Sequence, residues 1–476
     1  MTSLFELGQS ASDAIDAVAV EPLATAFGRP VDQIRIFVIF LAQFPNGWFM
    51  HYCLHGTFVR HIYSIVLGIL IQSYLYGFVN GACVVAFMSA VVYAMMILIP
   101  RHQQAPIVML TVLGFLSYQH LMAILYSFGD YQMDITSYTM LLVCKLSALA
   151  YCYQDGATNA EKLNQDQKDR MVINLPSPLE MASYVWYCQA CALGVFFEFT
   201  DYKRWVERTH EYKDVPCPIV PSLKWLGKGV FCLAAFTVIA PYCNVEMCWS
   251  EKFFEFVYAY RIVYYYFAMS FKRMFYYTPF SMTTGAIIAS GLGYNGMEKG
   301  EHKWDKIIGV YIWEIETASS PIEMLRFWNH QVHLWLKFYI MGRIVKPGKR
   351  PGMFENMVTF LVSAFWHGFY PFYYVMFFFA GVLSEVSKDI FKARFLFSFI
   401  PAALRPVVGN IFAMLAMNYL GILQCALTFE NGGRFLAATW ALIPVGLIVI
   451  LGLSRSLGLV RMAQKLEAAS KKPESA

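Results

Sequence analysis

From Met357 to Leu383 the chain runs 27 residues without one charged side chain. A bilayer core needs about 20 apolar residues in helical form. Similar runs begin near Ile34, His61, Ala82, Ala105, Ile135, Leu179, Val230, Phe253, Thr278, Leu404 and Phe435. Backbone groups in hydrocarbon must find partners within their own segment, so such runs fold as helices. The expected fold is all-α: a polytopic membrane protein with about ten to twelve transmembrane helices. Composition agrees. Only 14% of residues are charged, against about 25% in soluble domains. The net charge of +5 is small and scattered, so a nucleic-acid partner is not expected.

No internal repeat or low-complexity stretch is evident. One membrane domain is expected over residues 1–476, with an N-terminal segment at 1–30 and a polar tail at 463–476. Glu6, Asp13, Asp16 and Glu21 precede the first basic residue, Arg29. That order is the reverse of a signal peptide, so the first span is expected to direct insertion. Eleven cysteines, mostly inside apolar runs, read as small packing residues. The loop Gly342–Gly352 carries Arg343, Lys346, Lys349 and Arg350 and no acid. Positive loops face the cytoplasm. This one is either a topology anchor or a docking surface for a phosphate-bearing ligand.

His367 is the only group in the Met357–Leu383 run that titrates near neutral pH. At membrane depth even a neutral imidazole needs a hydrogen-bond partner or water, which points to a cavity. Gly368 and Pro371 follow it. In a continuous helix Pro371 would bend the chain at His367. A second polar group lies at Arg326, Asn329, His330, His333 and Lys337, which fall on one stripe if residues 326–337 form a helix. Such a helix lies at the interface or lines a wet cavity.

Metal and triad chemistry are weakly supported. His330 and His333 have ligand spacing, as do His51 and His55, but the nearest upstream carboxylate is Glu323 and no His-x-x-His-His repeat occurs. No metal site is therefore expected. Ser363 shares a helical face with His367, but no acid lies between Asn356 and Ser384 to orient the ring. Direct activation of a substrate hydroxyl by His367 asks less of the sequence.

The pair Trp328-Asn329 with Trp335-Leu336, and then Ser363-Ala364-Phe365-Trp366-His367-Gly368, resembles the membrane-bound O-acyltransferase family. Its lysophospholipid branch looks nearest. His367 follows Asn329 by 38 residues. Weaker matches extend upstream: Asp134-Ile135-Thr136, Lys145-Leu146-Ser147, Asp155-Gly156, Pro178-Leu179-Glu180, Glu198-Phe199 and Ser290 to Gly296. The chain departs from the family at Val332, at Pro371-Phe372 and at Gly194-Val195, which bears on acyl-chain and headgroup preference.

The resemblance implies a helical core around a central cavity. It implies transfer of a fatty acyl group from long-chain acyl-CoA, a co-substrate, to the free hydroxyl of a lysophospholipid among the membrane lipids. The enzyme would be multi-pass in the endoplasmic reticulum membrane and hold no cofactor. His367 and Asn329 would be catalytic. Substrate contacts would fall among Trp328, Trp335, Trp366, Arg326, His333, Lys337, Arg343, Lys346, Lys349 and Arg350. Two other readings remain: the same family with a sterol, diacylglycerol or protein acceptor, and a transporter whose polar helix lines a path. Transporters often carry repeats, and none is found here.

Overall fold

The computed structural model describes residues 12–28, 30–129, 134–346 and 348–470. Part of the expected N-terminal segment and the last six residues of the tail lie outside that range. The described part of the tail is helical, within Leu459–Ser470.

Nearly all described secondary structure is helical, as the apolar runs predict. In chain order the helices that matter are α1 (Val31–Tyr52), α2 (Thr57–Tyr76), α3 (Val84–Leu98, entered through a π turn at Val79–Cys83) and α4 (Arg101–Ser127). Next come α5 (Thr136–Asp155), α6 (Pro178–Val185), α7 (Phe199–Glu207), α8 (Ile219–Ile239) and α9 (Tyr258–Ala289). The rest are α10 (Pro321–Phe327), α11 (His330–Trp335), α12 (Met353–His367), α13 (Pro371–Lys392), α14 (Arg405–Ala426), α15 (Phe429–Ala438) and α16 (Leu442–Ser456). One antiparallel hairpin pairs Met297 with His302 and Glu298 with Glu301.

Among the described residues, five helical segments are long and apolar enough to cross a membrane: α2, Val79–Leu98, α4, α8 and α14; α15 and α16, bent by 73°, make a sixth if they act as one span. Helices α1, α5, α9 and α13 also reach span length, with 22, 20, 32 and 22 residues. They are not apolar enough to span on their own account and rely on neighbouring helices. The runs near Leu179 and Phe253 form helices of only 8 and 5 residues.

The helices gather into two compact units whose boundaries fall inside α8 and α9. Unit 1 holds residues 1–231 and 277–309. Its centre is α5, buried along almost its whole length. Lys145 there is fully buried: its Nζ donates to the Tyr184 carbonyl at 2.9 Å and sits 4.3 Å from the Phe197 ring centroid. A carbonyl and two ring faces thus surround the Lys145 amino group. Helix α6 starts on a capping box, in which the Ser177 hydroxyl accepts from the Glu180 N–H and the Glu180 carboxylate accepts from the Ser177 N–H.

Unit 2 holds residues 232–276 and 310–476. Its core interleaves Tyr265, Met269, Phe372, Leu383, Tyr419 and Phe435 from α9, α13, α14 and α15. Within it α12 and α13 form an antiparallel hairpin. At one end Asn356 donates to Glu385 at 3.3 Å, and Glu385 also takes Lys388 at 2.7 Å and Arg455 at 3.1 Å. Met357 packs onto Gly381, where a side chain would collide with its sulfur. The charge-free run is therefore two helices and not one kinked span. Helix α12 stops at His367, Gly368 turns the chain with φ 121°, and Pro371 opens α13 at a position where its missing N–H costs nothing.

Candidate active site

Every residue expected to act on a substrate lies in unit 2. His367 is the last residue of α12 and is partly exposed. Its ring is fixed by neighbours, with centroids 4.9 Å from Trp366, 5.0 Å from Phe377 and 5.9 Å from Tyr373. Aromatic walls on several sides limit how the imidazole can turn.

Asn329 has an unusual backbone. It links α10 to α11 with φ 40° and ψ 54°, in the left-handed region. That region costs most side chains about 1–2 kcal/mol, with Asn among the residues that visit it most readily. Asn329 occupies the N-cap position of α11, where an Asn side chain ordinarily accepts from a first-turn N–H. It makes no such bond. The carboxamide is partly exposed and is not committed to any described neighbour. A strained backbone that presents an uncommitted amide is an arrangement found at functional sites.

This turn corrects the single-helix expectation for residues 326–337. Arg326 lies in α10, while His330 and His333 lie in α11, and Lys337 falls in a π-helical stretch at Leu336–Met341. The left-handed residue breaks the stripe at Asn329. His330 donates from Nδ1 to the Arg326 carbonyl at 2.8 Å and stacks on His333, with centroids 6.4 Å apart. Burial, then His330, Arg326 and Lys337, push the His333 pKa down to about 4. His333 is thus a neutral hydrogen-bonding group near pH 7. Arg326 and Lys337 are exposed.

The structure ties the Asn329 segment to the His367 helix through a tryptophan pair. Trp335 at the end of α11 is fully buried and meets Trp366 at 6.4 Å. Burial makes both rings packing supports, set beneath the site. Trp328 is partly exposed and stands edge-on to Tyr276 of α9 at 5.9 Å. Tyr311 was not singled out by sequence: it contacts His330 at 5.1 Å and donates its backbone N–H to the Phe327 carbonyl at 3.2 Å. Phe377 and Tyr373 were also missed. Only hairpin geometry brings residues ten and six positions on back to His367.

The basic loop is not beside His367. Arg343, Lys346, Lys349 and Arg350 precede α12, and His367 ends it. The helix between them is about 20 Å long at 1.5 Å per residue. Lys346, Lys349 and Arg350 are exposed, and Arg343 is partly covered, donating to the Phe338 carbonyl at 3.3 Å. Along the hairpin runs an open groove of about 340 Å³, lined by Phe354, Met357, Leu361, Ala364, Tyr374 and Phe377 among others. It begins near the basic end of α12. Phe377 belongs both to its wall and to the surroundings of His367.

Comparison with known proteins finds relatives along most of the chain. Over 425 residues the chain is 27% identical to lysophospholipid acyltransferase 2 of Arabidopsis thaliana, covering 86% of this chain and 90% of that protein. Over 380 residues it is 27% identical to a lysophospholipid acyltransferase of Schizosaccharomyces pombe, covering 78% and 74%. Over 470 residues it is 26% identical to human membrane-bound glycerophospholipid O-acyltransferase 2, covering 91% and 86%. Residues 120–429 match the family model for membrane-bound O-acyltransferases, a stretch that includes both Asn329 and His367. The chain belongs to the membrane-bound O-acyltransferase family.

Proposed function

We propose that this acyltransferase moves a fatty acyl group from acyl-CoA to the free hydroxyl of a lysophospholipid in the endoplasmic reticulum membrane. The observation that carries the reading is the uncommitted amide of Asn329, held in a strained turn and tied through Trp335 and Trp366 to the helix that ends at His367. The names of the relatives support the acceptor.

In this mechanism neutral His367 takes the proton of the acceptor hydroxyl as its oxygen attacks the thioester carbonyl. The Asn329 amide donates to the oxyanion that forms. Collapse breaks the C–S bond, and CoA leaves with the proton returned from His367. The thioester is already activated, so no acyl-enzyme is needed.

The basic loop would hold the CoA phosphates as charged hydrogen-bond donors. The pantetheine arm has the reach to bridge from that loop along α12 to His367. Arg326, His333 and Lys337, beside Asn329, would meet the polar headgroup. An apolar chain with its reacting end at His367 would lie in the α12–α13 groove, where each buried methylene contributes about 0.8 kcal/mol. Leu361→Trp fills the groove midway. Assayed with a series of chain lengths, it should lower kcat/KM for the longest chains by about 100-fold, the equivalent of three to four methylenes, and spare short ones. An unchanged chain profile would remove the groove from the account.

Labelled acyl-CoA offered to purified enzyme with lysophospholipid, sterol, diacylglycerol and a hydroxyl-bearing peptide tests the acceptor. Label should enter diacyl phospholipid. Label in a sterol ester, triacylglycerol or acyl-peptide instead would replace this reading with another acceptor class.

A further inference from the structure

The turn at Asn329 stores strain, so the surrounding structure must over-determine it. An ion pair between a buried arginine and a half-buried glutamate stands upstream. Arg273, in the middle of α9, is only 4% exposed. Its guanidinium donates to both oxygens of Glu316, from Nε at 3.0 Å and from Nη2 at 2.8 Å. Nη1 donates to Asn418 Oδ1 of α14, and Nη2 reaches Ser270 at 3.3 Å. Asn418 is itself held, its amide donating to the Tyr266 carbonyl at 2.9 Å and to Ser270 at 3.1 Å.

Helix α14 grips the same segment again about two turns before Asn418. The Asn410 amide donates to the carbonyls of Glu316 and Ala318, at 3.0 and 2.9 Å. At Gly409 any side chain would fall 2.3 Å from the Ser319 carbonyl oxygen. Residues 316–319 are therefore clamped between α9 and α14. Helix α10 begins at Pro321 and ends next to Trp328, which rests against Tyr276. Tyr276 lies three residues after Arg273, on the same face of α9. One helix thus fixes both ends of the segment that delivers Asn329.

We propose that Arg273 and Glu316 are positioning residues for catalysis: their bidentate pair, built on a buried guanidinium, sets the register of α10 and so aims the Asn329 amide. This rests on the oxyanion reading of Asn329. A bare stability role is the competing explanation, because removing Glu316 leaves the buried guanidinium without its counter-charge, whereas replacing both partners with apolar groups is often neutral or stabilising. The two explanations part at the double variant. In Arg273→Met/Glu316→Met no charge is left unpaired, although Asn418 Oδ1 loses its donor, so thermal stability should recover in part while the fork geometry that aims the segment is gone.

The experiment measures kcat, KM and Tm for Glu316→Gln and Arg273→Met/Glu316→Met, alongside Asn329→Gly. Glu316→Gln should lose roughly 10²-fold in kcat, the cost of a small misplacement at a reacting centre, with both KM values within about two-fold of wild type. The double variant should melt higher than Glu316→Gln and stay as slow. Full kcat in the double variant, or in Glu316→Gln while Asn329→Gly is slow, overturns the positioning role alone. Should Glu316→Gln fail to accumulate, the double variant decides the matter. Full kcat in Asn329→Gly removes the reading on which the proposal rests, a different and separately visible failure.

Discussion

Purified His367→Ala should lose about 10²–10⁴-fold in kcat, the range over which a positioned general base acts. It should still fold. The ring ends a helix, is partly exposed and carries no span, so its removal belongs with ordinary substitutions that cost roughly 0.5–3 kcal/mol. Trp366, Phe377 and Tyr373 remain to close around the gap. KM for both substrates should stay near the wild-type value, because the phosphates and chains are held by other residues. Steady-state kinetics with a melting curve on the same preparation reads both outcomes. Wild-type turnover would end the base assignment, and a loss of folded protein in step with activity would make His367 structural.

The second large effect is expected at Asn329, in two versions that separate amide from backbone. Asn329→Gly removes the carboxamide and leaves φ 40° free of strain, since glycine enters the left-handed region readily. Its kcat should fall by about 10²–10³, the cost of one oxyanion donor in a protease, with KM little changed. Asn329→Ala should be as slow and also less stable, because alanine pays for the left-handed backbone. If Asn329→Gly kept full kcat while Asn329→Ala lost it, the turn and not the amide would matter.

The residues of the candidate site drew attention in the sequence because their signals are local. One histidine in 27 charge-free residues announces itself, as does an asparagine between polar neighbours and tryptophans. What was misread is equally local. A 3.6-residue period over residues 326–337 assumed an unbroken helix, and the left-handed Asn329 breaks it. Pro371 suggests a kink in the sequence, yet a glycine followed by a proline three residues on also marks one helix ending and the next beginning. The partners of each group were not legible. Arg273 meets Glu316 across 43 positions and Asn418 across 145. Sequence order carries no trace of pairings that only packing creates. The same holds for the separation of the basic loop from His367 along α12, which became visible only when the helix acquired ends.

The most direct measurement is a single turnover with purified His367→Gln, following labelled acyl groups from acyl-CoA into a lysophospholipid. Glutamine keeps a hydrogen-bonding side chain of similar reach but cannot take up a proton. The account predicts that both substrates bind and that no labelled diacyl product forms while the wild-type enzyme runs to completion. Transfer by the glutamine variant at the wild-type rate would contradict it.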